Sequence, residues 1–197
     1  FNFKPFYSSL NGKTKKLNLS YFLNHNSLIL QLLKTEIFNN KNIDFKLNIN
    51  SNKIDNSLDF VNISLNSRIQ DGLIDIDKTK LSWKNFVDFE FIETLIYLKN
   101  GELVLDGKLK LNIKNYNEIY KFLLTPKNYR NKIKKIDLNF SYNFDQKTTI
   151  LSDIWLDGKF NQNINMIMNN VILNDNKLQN RIYLKNLLNE AIKSYAG

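Results

Sequence analysis

The chain has 197 residues, with 28 Lys and Arg against 19 Asp and Glu, a single His, no Cys and a formal net charge of +9. The absence of Cys excludes disulfide scaffolds, Cys-ligated metal sites and Cys nucleophiles. The 33 Asn and 25 Lys against only 3 Arg and 2 Ala are typical of an AT-rich genome, so the charge by itself says little about partners. With 43% hydrophobic residues the chain can bury a core, and we expect one β-rich segment, residues 1–197, from a longer protein.

Alternation of apolar and polar residues with a period of two predicts half-buried strands along most of the chain. The clearest runs cover residues 43–49, 61–69, 103–113 and 136–144. In each run one face is apolar and the other polar, which is typical of an antiparallel sheet with one solvated side. The predicted fold class is therefore mainly β, built on a long antiparallel sheet.

The five internal glycines each follow Asn or Asp, at positions 11–12, 71–72, 100–101, 106–107 and 157–158. Such dipeptides favour tight hairpins, because both residues tolerate a positive φ. A two-residue turn at 100–101 places Leu98 opposite Leu103, and one at 71–72 places Ile69 opposite Ile74. Both registers pair apolar residues with apolar residues, so we predict hairpins there.

The Asp106-Gly107 dipeptide does not fit a hairpin, because Leu105 would then face Lys108. The unbroken alternation predicts one long strand from Leu103 to Ile113 instead. Gly107 then lies on its apolar face and marks a bulge or a close approach by another group.

Two helices interrupt the alternation. Residues 115–124 space apolar side chains by three and four positions and end before Pro126, which predicts a short helix. From Leu178 onwards the same spacing predicts an amphipathic C-terminal helix. In the Asn-rich stretch 161–170, the interleaved Ile164, Met166 and Met168 favour a strand.

Residues 103–113 and 154–164 align without gaps, with six identities in eleven positions that include Leu-Asp-Gly-Lys. In so biased a composition some of these matches are expected by chance. The alternative is a structural repeat, with units around residues 100–150 and 151–197.

Residues suited to catalysis are scarce. His25 has no second His or Cys nearby and is best interpreted as a polar loop residue. The pairs Asp75/Asp77 and Asp88/Glu90 each point two carboxylates to one side of a strand, as the solvated face of any alternating strand does. Gly-rich phosphate loops and nucleophile elbows are absent from the sequence. We expect no enzymatic activity, no metal and no cofactor.

The loop after the first predicted helix is strongly basic. Its five positive side chains are candidates for contact with anionic lipid headgroups, and they are Lys127, Arg130, Lys132, Lys134 and Lys135. The alternatives are an ordinary solvated loop and a nucleic-acid contact. We expect no nucleic-acid partner, because recognition of nucleic acids favours Arg, which is rare here.

Residues 100–158 contain strands, a short helix and a basic loop in a characteristic order. A strand from Asn100 to Leu111 continues to Ile113, and a short helix, Pro126 and the basic loop follow it. The strand 136–144 and the sequence Ile-Trp-Leu-Asp-Gly at 154–158 complete the order. This layout resembles the C-terminal region of the AsmA-like family, which includes TamB-type proteins and other bacterial relatives of bridge-like lipid-transfer proteins.

The resemblance implies a long, twisted antiparallel sheet curled into an open groove with an aliphatic lining. It also implies a periplasmic protein that is anchored to the bacterial inner membrane by a helix outside this segment. Such proteins are implicated in phospholipid transport and outer-membrane biogenesis, so the implied partner is a phospholipid or another acyl-chain lipid.

We therefore expect a non-catalytic lipid-binding groove, since a continuous apolar surface can bind acyl chains without any catalytic residue. The predicted lining consists of Leu103, Leu105, Gly107, Leu109, Leu111, Ile113, Ile136, Leu138, Phe140, Ile154, Leu156 and Gly158. The alternative is a structural or protein-interaction module, a closed sandwich or solenoid without a small ligand. The two differ in whether the apolar face of residues 103–113 is open or sealed.

Overall fold

A computed structural model describes residues 2–3, 6–19, 27–55, 59–169 and 171–196. Within these ranges the chain is mainly β, as predicted, and its 12 strands form one sheet. His25 lies outside the described residues.

The strands and helices have the following bounds. The strands are β1 (Asn2–Phe3), β2 (Phe6–Leu17), β3 (Ile43–Ile54), β4 (Phe60–Gln70), β5 (Leu73–Asp75), β6 (Lys80–Trp83), β7 (Val87–Lys99), β8 (Glu102–Ile113), β9 (Lys135–Asn143), β10 (Thr148–Leu156), β11 (Lys159–Phe160) and β12 (Leu173–Asn174). The α-helices are α1 (Leu28–Lys34), α2 (Tyr116–Leu123), α3 (Gln162–Asn169), α4 (Asp175–Gln179) and α5 (Arg181–Ala196), and a 3-10 turn covers Lys127–Tyr129.

The sheet is mixed rather than purely antiparallel. Its order is β1-β2-β3-β4-β5-β7-β8-β9-β10-β11, with β6 bridging β4 and β7 and with β12 on β10. β2 and β3 run parallel, and α1 lies in the connection between them. The Asn11-Gly12 dipeptide forms no turn, because both residues lie inside β2 and pair there with Asn48 and Ile49.

Both predicted hairpins and the predicted long strand agree with the structure. The β7–β8 hairpin pairs Leu98 with Leu103 around Asn100-Gly101, and the β4–β5 hairpin pairs Ile69 with Ile74. β8 runs unbroken through Asp106-Gly107. Asn100 and Gly101 have φ values of 53° and 82°, which shows why an Asn-Gly dipeptide specifies this turn.

Gly107 marks both a bulge and a close approach. Opposite it, two residues of β7, one more than on β8, lie between the Ile92–Lys108 and Leu95–Asp106 pairs. One of them, Thr94, is fully buried, and a Cβ on Gly107 would lie 2.2 Å from its Oγ1 and 2.7 Å from its Cβ. The space left by the missing side chain is therefore filled from the neighbouring strand.

Similar bulges interrupt β4 and β10. In all three a residue with φ near +50° precedes a buried residue, and the pairs are Asn62-Ile63, Glu93-Thr94 and Asp153-Ile154. Each bulge shifts the alternation by one position. Apolar residues on both sides of it thus point to the same face, as Phe91 and Ile96 of β7 do.

Helices cover the two ends of that apolar face. At one end α1 buries Leu30 and Leu33 against a cluster that includes Ile96, Leu103 and Phe144. At the other end α3 and α5 pack on β10, in a cluster formed by Ile133, Ile154, Leu156, Ile164, Met168, Leu173, Leu187 and Ala191.

Both helices predicted from spacing are present, as α2 and α5. The strand predicted at 161–170 is wrong, because these residues form α3 up to Asn169. The Asn161 side chain accepts a hydrogen bond from the backbone N–H of Ile164 at 2.9 Å, which is an N-cap contact that favours a helix. Residues 103–113 and 154–164 also differ in structure, since the first is all strand and the second is strand, turn and helix.

Asn165 of α3 closes the free edge of β10. Its Oδ1 accepts from the Ile154 N–H at 2.8 Å, and its Nδ2 donates to the Ile154 carbonyl at 2.9 Å. With an exposed fraction of 4%, this side chain takes the place of a neighbouring strand between the short strands β11 and β12. Such closure protects an edge from pairing with another chain.

We predict that Gly107→Ala lowers the free energy of unfolding by about 1–3 kcal/mol, because the new Cβ overlaps Thr94. Gly12→Ala is the matched control. Gly12 is also a strand glycine, with no heavy atom within 4 Å of an added Cβ, and we expect its substitution to be neutral or slightly stabilising. Urea unfolding of both variants measures the difference, and equal stabilities would contradict the close approach.

We also predict that Asn165→Ala lowers stability by about 2–3 kcal/mol, because the buried Ile154 N–H loses its acceptor. Asn163→Ala, at an exposed position of the same helix, should change stability by less than about 0.5 kcal/mol. Thermal unfolding compares the two variants. A similar small effect at both positions would show that Asn165 does not close the edge.

Candidate apolar ligand site

The candidate site is the apolar face of the sheet between the two helical covers. Two apolar cavities lie on this face, with volumes of about 220 Å³ and 170 Å³. Among the described residues, no charged side chain lines either of them. Both are therefore suited to hydrocarbon and not to an ionic ligand.

The larger cavity lies between the sheet and the helices α2 and α5. Strand residues form its floor, among them Leu111, Ile113, Ile136, Leu138, Ile154 and Leu156. The helices and the loop after α2 supply its walls, which include Tyr116, Ile119, Tyr120, Ile133, Leu188, Ala191 and Ile192. At 220 Å³ it is smaller than the roughly 300 Å³ at the lower end of small-molecule pockets, so a single hydrocarbon chain fits it better than a bulky ligand.

The smaller cavity lies under α1, on strands β3 to β7. Its lining includes Phe45, Leu47, Ile63, Leu65, Ile69, Ile74, Leu81, Phe91 and Ile96, with Ser67 and Thr79 as the polar members. Leu30 of α1 closes it on the helix side.

A strip of half-buried side chains lies between the cavities. The Phe91 ring, which lines the smaller cavity, contacts the Phe140 ring edge to face at a centroid distance of 5.8 Å. Phe140 is two positions from Leu138, which lines the larger cavity. Phe89 and Leu109 of the same strip are also half-buried. The apolar face is thus sealed at its ends and partly open at its centre.

Most of the predicted lining residues share this face, but they do not form one groove. Six of them line the larger cavity, and Leu109 and Phe140 lie in the central strip. Leu103 is fully buried in the cluster under α1, and Leu105 packs against that cluster. Neither offers its surface to a ligand in this arrangement.

The two glycines of the predicted lining border neither apolar cavity. Thr94 fills the space beside Gly107, so this position gives no room to a ligand. Gly158 lies in the β10–β11 turn with a φ of 81°. It lines a surface depression together with Trp155 and Lys110. These two residues lie on the opposite side of their strands from the apolar face.

The predicted headgroup residues lie beside the larger cavity. Lys127, Lys132 and Lys134 are exposed, and Ile133 between the last two is buried in the cavity wall. The Arg130 Nε donates to the Thr125 carbonyl at 2.8 Å.

Lys135 differs from the other basic residues of this loop. It belongs to β9, and its Nζ lies 2.6 Å from a carboxylate oxygen of Asp137. The charge of Lys135 is therefore paired within the protein.

The two carboxylate pairs have structural partners. Asp88 accepts from the Ser82 hydroxyl at 2.7 Å and pairs with Lys114 at 2.7 Å. Burial opposes the ionisation of Asp88, but these two bonds outweigh it and hold its pKa below the usual value. Glu90 pairs with Lys80 at 3.0 Å.

The other pair, Asp75 and Asp77, organises turns. The Asp75 Oδ1 accepts from the Asp77 N–H at 2.7 Å, and the Asp77 Oδ1 accepts from the Glu93 N–H in the β7 bulge at 2.8 Å. In the part of the chain that the structure describes, no group of three or more His, Cys, Asp or Glu could hold a metal ion.

Sequence reasoning missed the smaller cavity and α1. The alternation of residues 43–49 and 61–69 predicts two strands, but it does not indicate that their apolar face continues the apolar face of β8. The capping residue Ser27, whose hydroxyl accepts from the Leu30 N–H at 3.3 Å, was the available signal for α1. Thr94 had no signal, because its neighbour Gly107 lies on another strand.

Comparisons with protein-family models, curated proteins and solved structures give no match for this chain. The AsmA-like resemblance therefore stays a prediction. None of the described helices is long and apolar enough to cross a membrane.

We predict that Tyr120 makes folding sensitive to alkaline pH. Burial raises the pKa of this tyrosine to about 12, and its hydroxyl donates to the Asn131 carbonyl. The folded state thus favours the neutral phenol. This contribution to stability is complete below pH 10, the usual pKa, and is lost as the pH rises from 10 towards 12.

Tyr120→Phe tests this contribution, because it removes the ionisable group and keeps the ring. Between pH 9 and pH 12 the native chain should lose about 2–3 kcal/mol more stability than the variant does. Chemical unfolding at several pH values measures the difference. A parallel decline in both proteins would mean that Tyr120 ionises equally easily in the folded and unfolded chain.

Proposed function

We propose that the chain is a non-catalytic module that binds the acyl chain of a lipid on the apolar face of its sheet. The observation that carries the proposal is the larger cavity, which is lined by apolar side chains and is bordered by an exposed basic loop. Burying hydrocarbon contributes roughly 0.8 kcal/mol per methylene group, so binding needs neither a catalytic residue nor a cofactor.

The loop supports a lipid in preference to a plain hydrocarbon. Ile133 contributes to the cavity wall with an exposed fraction of 6%, while its neighbours Lys132 and Lys134 are exposed. A chain inside the cavity would thus leave its polar end near two lysine ammonium groups. This arrangement suits an anionic headgroup, a phosphate or a carboxylate.

The wider role follows from the resemblance alone. A periplasmic location, an anchor in the inner membrane outside this segment and a part in phospholipid transport to the outer membrane remain predictions. The sealed ends of the face favour the second candidate, a structural or protein-interaction module whose apolar face serves only as its core. Ligand binding distinguishes the two functions.

The test fills the larger cavity. Ala191 of α5 lines it and is 7% exposed, so Ala191→Leu should take the space of about three methylene groups and weaken binding of a fluorescent long-chain fatty acid about 50-fold. Asn186→Leu places the same leucine side chain at an exposed position of α5 and should leave the affinity unchanged. Absence of fatty-acid binding to the native chain would favour the structural module.

Photocrosslinking gives an independent measurement on the same site. A photoreactive residue at Leu138, in the floor of the larger cavity, should capture phospholipid. The same residue at Lys110, on the opposite parity of the sheet, is the control. Equal capture at both positions would contradict a site on the apolar face.

A further inference from the structure

The positive charge of the chain is concentrated at the end that holds the larger cavity. Residues 114–135, which contain α2 and the basic loop, include seven Lys and Arg and one acidic residue, Glu118. Helix α5 adds three more Lys and Arg and one acidic residue, Glu190. Most of the net charge of +9 therefore lies in these two segments, which pack against each other.

The same end exposes a group of large apolar side chains. Trp83 contacts Phe86 and Phe122 at centroid distances of 5.5 Å and 4.8 Å. Phe122 is 40% exposed and the adjacent Leu124 is 76% exposed. Contiguous exposed apolar surface marks an interaction site more often than single exposed residues do.

Leu124 is also at an unusual backbone position. It caps the C-terminus of α2 with a φ of 60°, where Gly or Asn is usual and another residue costs about 1 kcal/mol. The chain thus places a solvent-exposed leucine at a position where a polar Asn would be more stable. A contact that buries this leucine would offset the strain.

Lysine ammonium groups lie over these rings. Lys185 of α5 is 4.4 Å from the centroid of Phe122, and Lys84 is 5.7 Å from that of Trp83. Lys84 is ion-paired with Asp59 at 3.3 Å, whereas Lys185 has no ion-pair partner among the described residues. Aromatic rings beside lysines are typical of surfaces that meet the headgroup region of a bilayer.

This surface adjoins the wall of the larger cavity. Leu188, one helical turn after Lys185, is 41% exposed and also lines the cavity. Leu123, which lies between Phe122 and Leu124, is part of the cavity wall as well. A surface that touched a membrane here would place the cavity next to the lipid.

We propose that this end of the molecule docks on the surface of an anionic lipid bilayer. The docking surface consists of Trp83, Phe86, Phe122, Leu124, Lys185 and Leu188. The aromatic and leucine side chains enter the headgroup region, and the lysines attract anionic phosphates. Only 3 Arg among 28 basic residues argues against a nucleic-acid partner. The inference deepens the proposed function by naming the source of the lipid.

The two tryptophans allow a direct test. Trp83 belongs to the docking surface, while Trp155 is 43% exposed and packs on Phe160 of the β10–β11 hairpin. Trp155→Phe leaves Trp83 as the sole indole, and Trp83→Phe leaves Trp155. Both proteins are mixed with phosphatidylglycerol–phosphatidylcholine vesicles that carry brominated acyl chains, which quench nearby tryptophan fluorescence.

Loss of Trp83 emission with retention of Trp155 emission is the expected result. Quenching of both tryptophans, of Trp155 alone or of neither would overturn the docking surface. Leu124→Ser and Lys185→Glu should each weaken partition into these vesicles about fivefold or more. Leu28→Ser is the matched control, since Leu28 is 73% exposed on α1, and an equal loss in this variant would also contradict the proposal.

The two proposals can fail separately. If vesicles do not bind while the fatty acid still enters the cavity, the docking surface is wrong and the acyl-chain site stands. If vesicles bind through Trp83 while Ala191→Leu leaves fatty-acid affinity unchanged, the docking surface stands and the acyl-chain site is wrong.

Discussion

The structure depends on one constraint, that a 12-stranded sheet with a single apolar face must keep its apolar side chains on that face. In a twisted sheet, strands without any irregularity would not keep all of their apolar side chains opposite the apolar side chains of the neighbouring strands. The bulges of β4, β7 and β10 resolve this by shifting the alternation within a strand. Where the β7 bulge adds a side chain, Thr94, the facing strand has no side chain, at Gly107. The bulge and the glycine therefore form one structural unit.

The second requirement is that helices cover the apolar face of the sheet, and they cover its ends more completely than its centre. α1 covers one end and α3 with α5 the other, while the strip around Phe91 and Phe140 stays half-buried. Helices that bridge a wide sheet at its ends leave imperfect packing between them and the strands. The two apolar cavities are the result. They need no polar group to accept a hydrocarbon chain, because apolar burial is not directional.

Local rules predicted a large part of the fold. The registers of the hairpins at 71–72 and 100–101, the long strand β8 and the helices α2 and α5 follow from turn chemistry and periodicity, which act between near neighbours. The same rules were wrong at 161–169, where an alternating stretch is helical because of a side-chain cap and helix packing. At 11–12 an Asn-Gly dipeptide stays extended because it pairs with β3.

The sequence by itself determined which residues share the apolar side of each strand, and thereby most of the candidate lining from Leu109 to Leu156. It also determined that a basic loop follows α2. Only the tertiary structure decided which of these side chains are covered, that Leu103 lies under α1 and that Leu138 lies in a cavity. The physical reason is that coverage depends on helices far away in the chain. The alternation of one strand has no information about the element that packs on it.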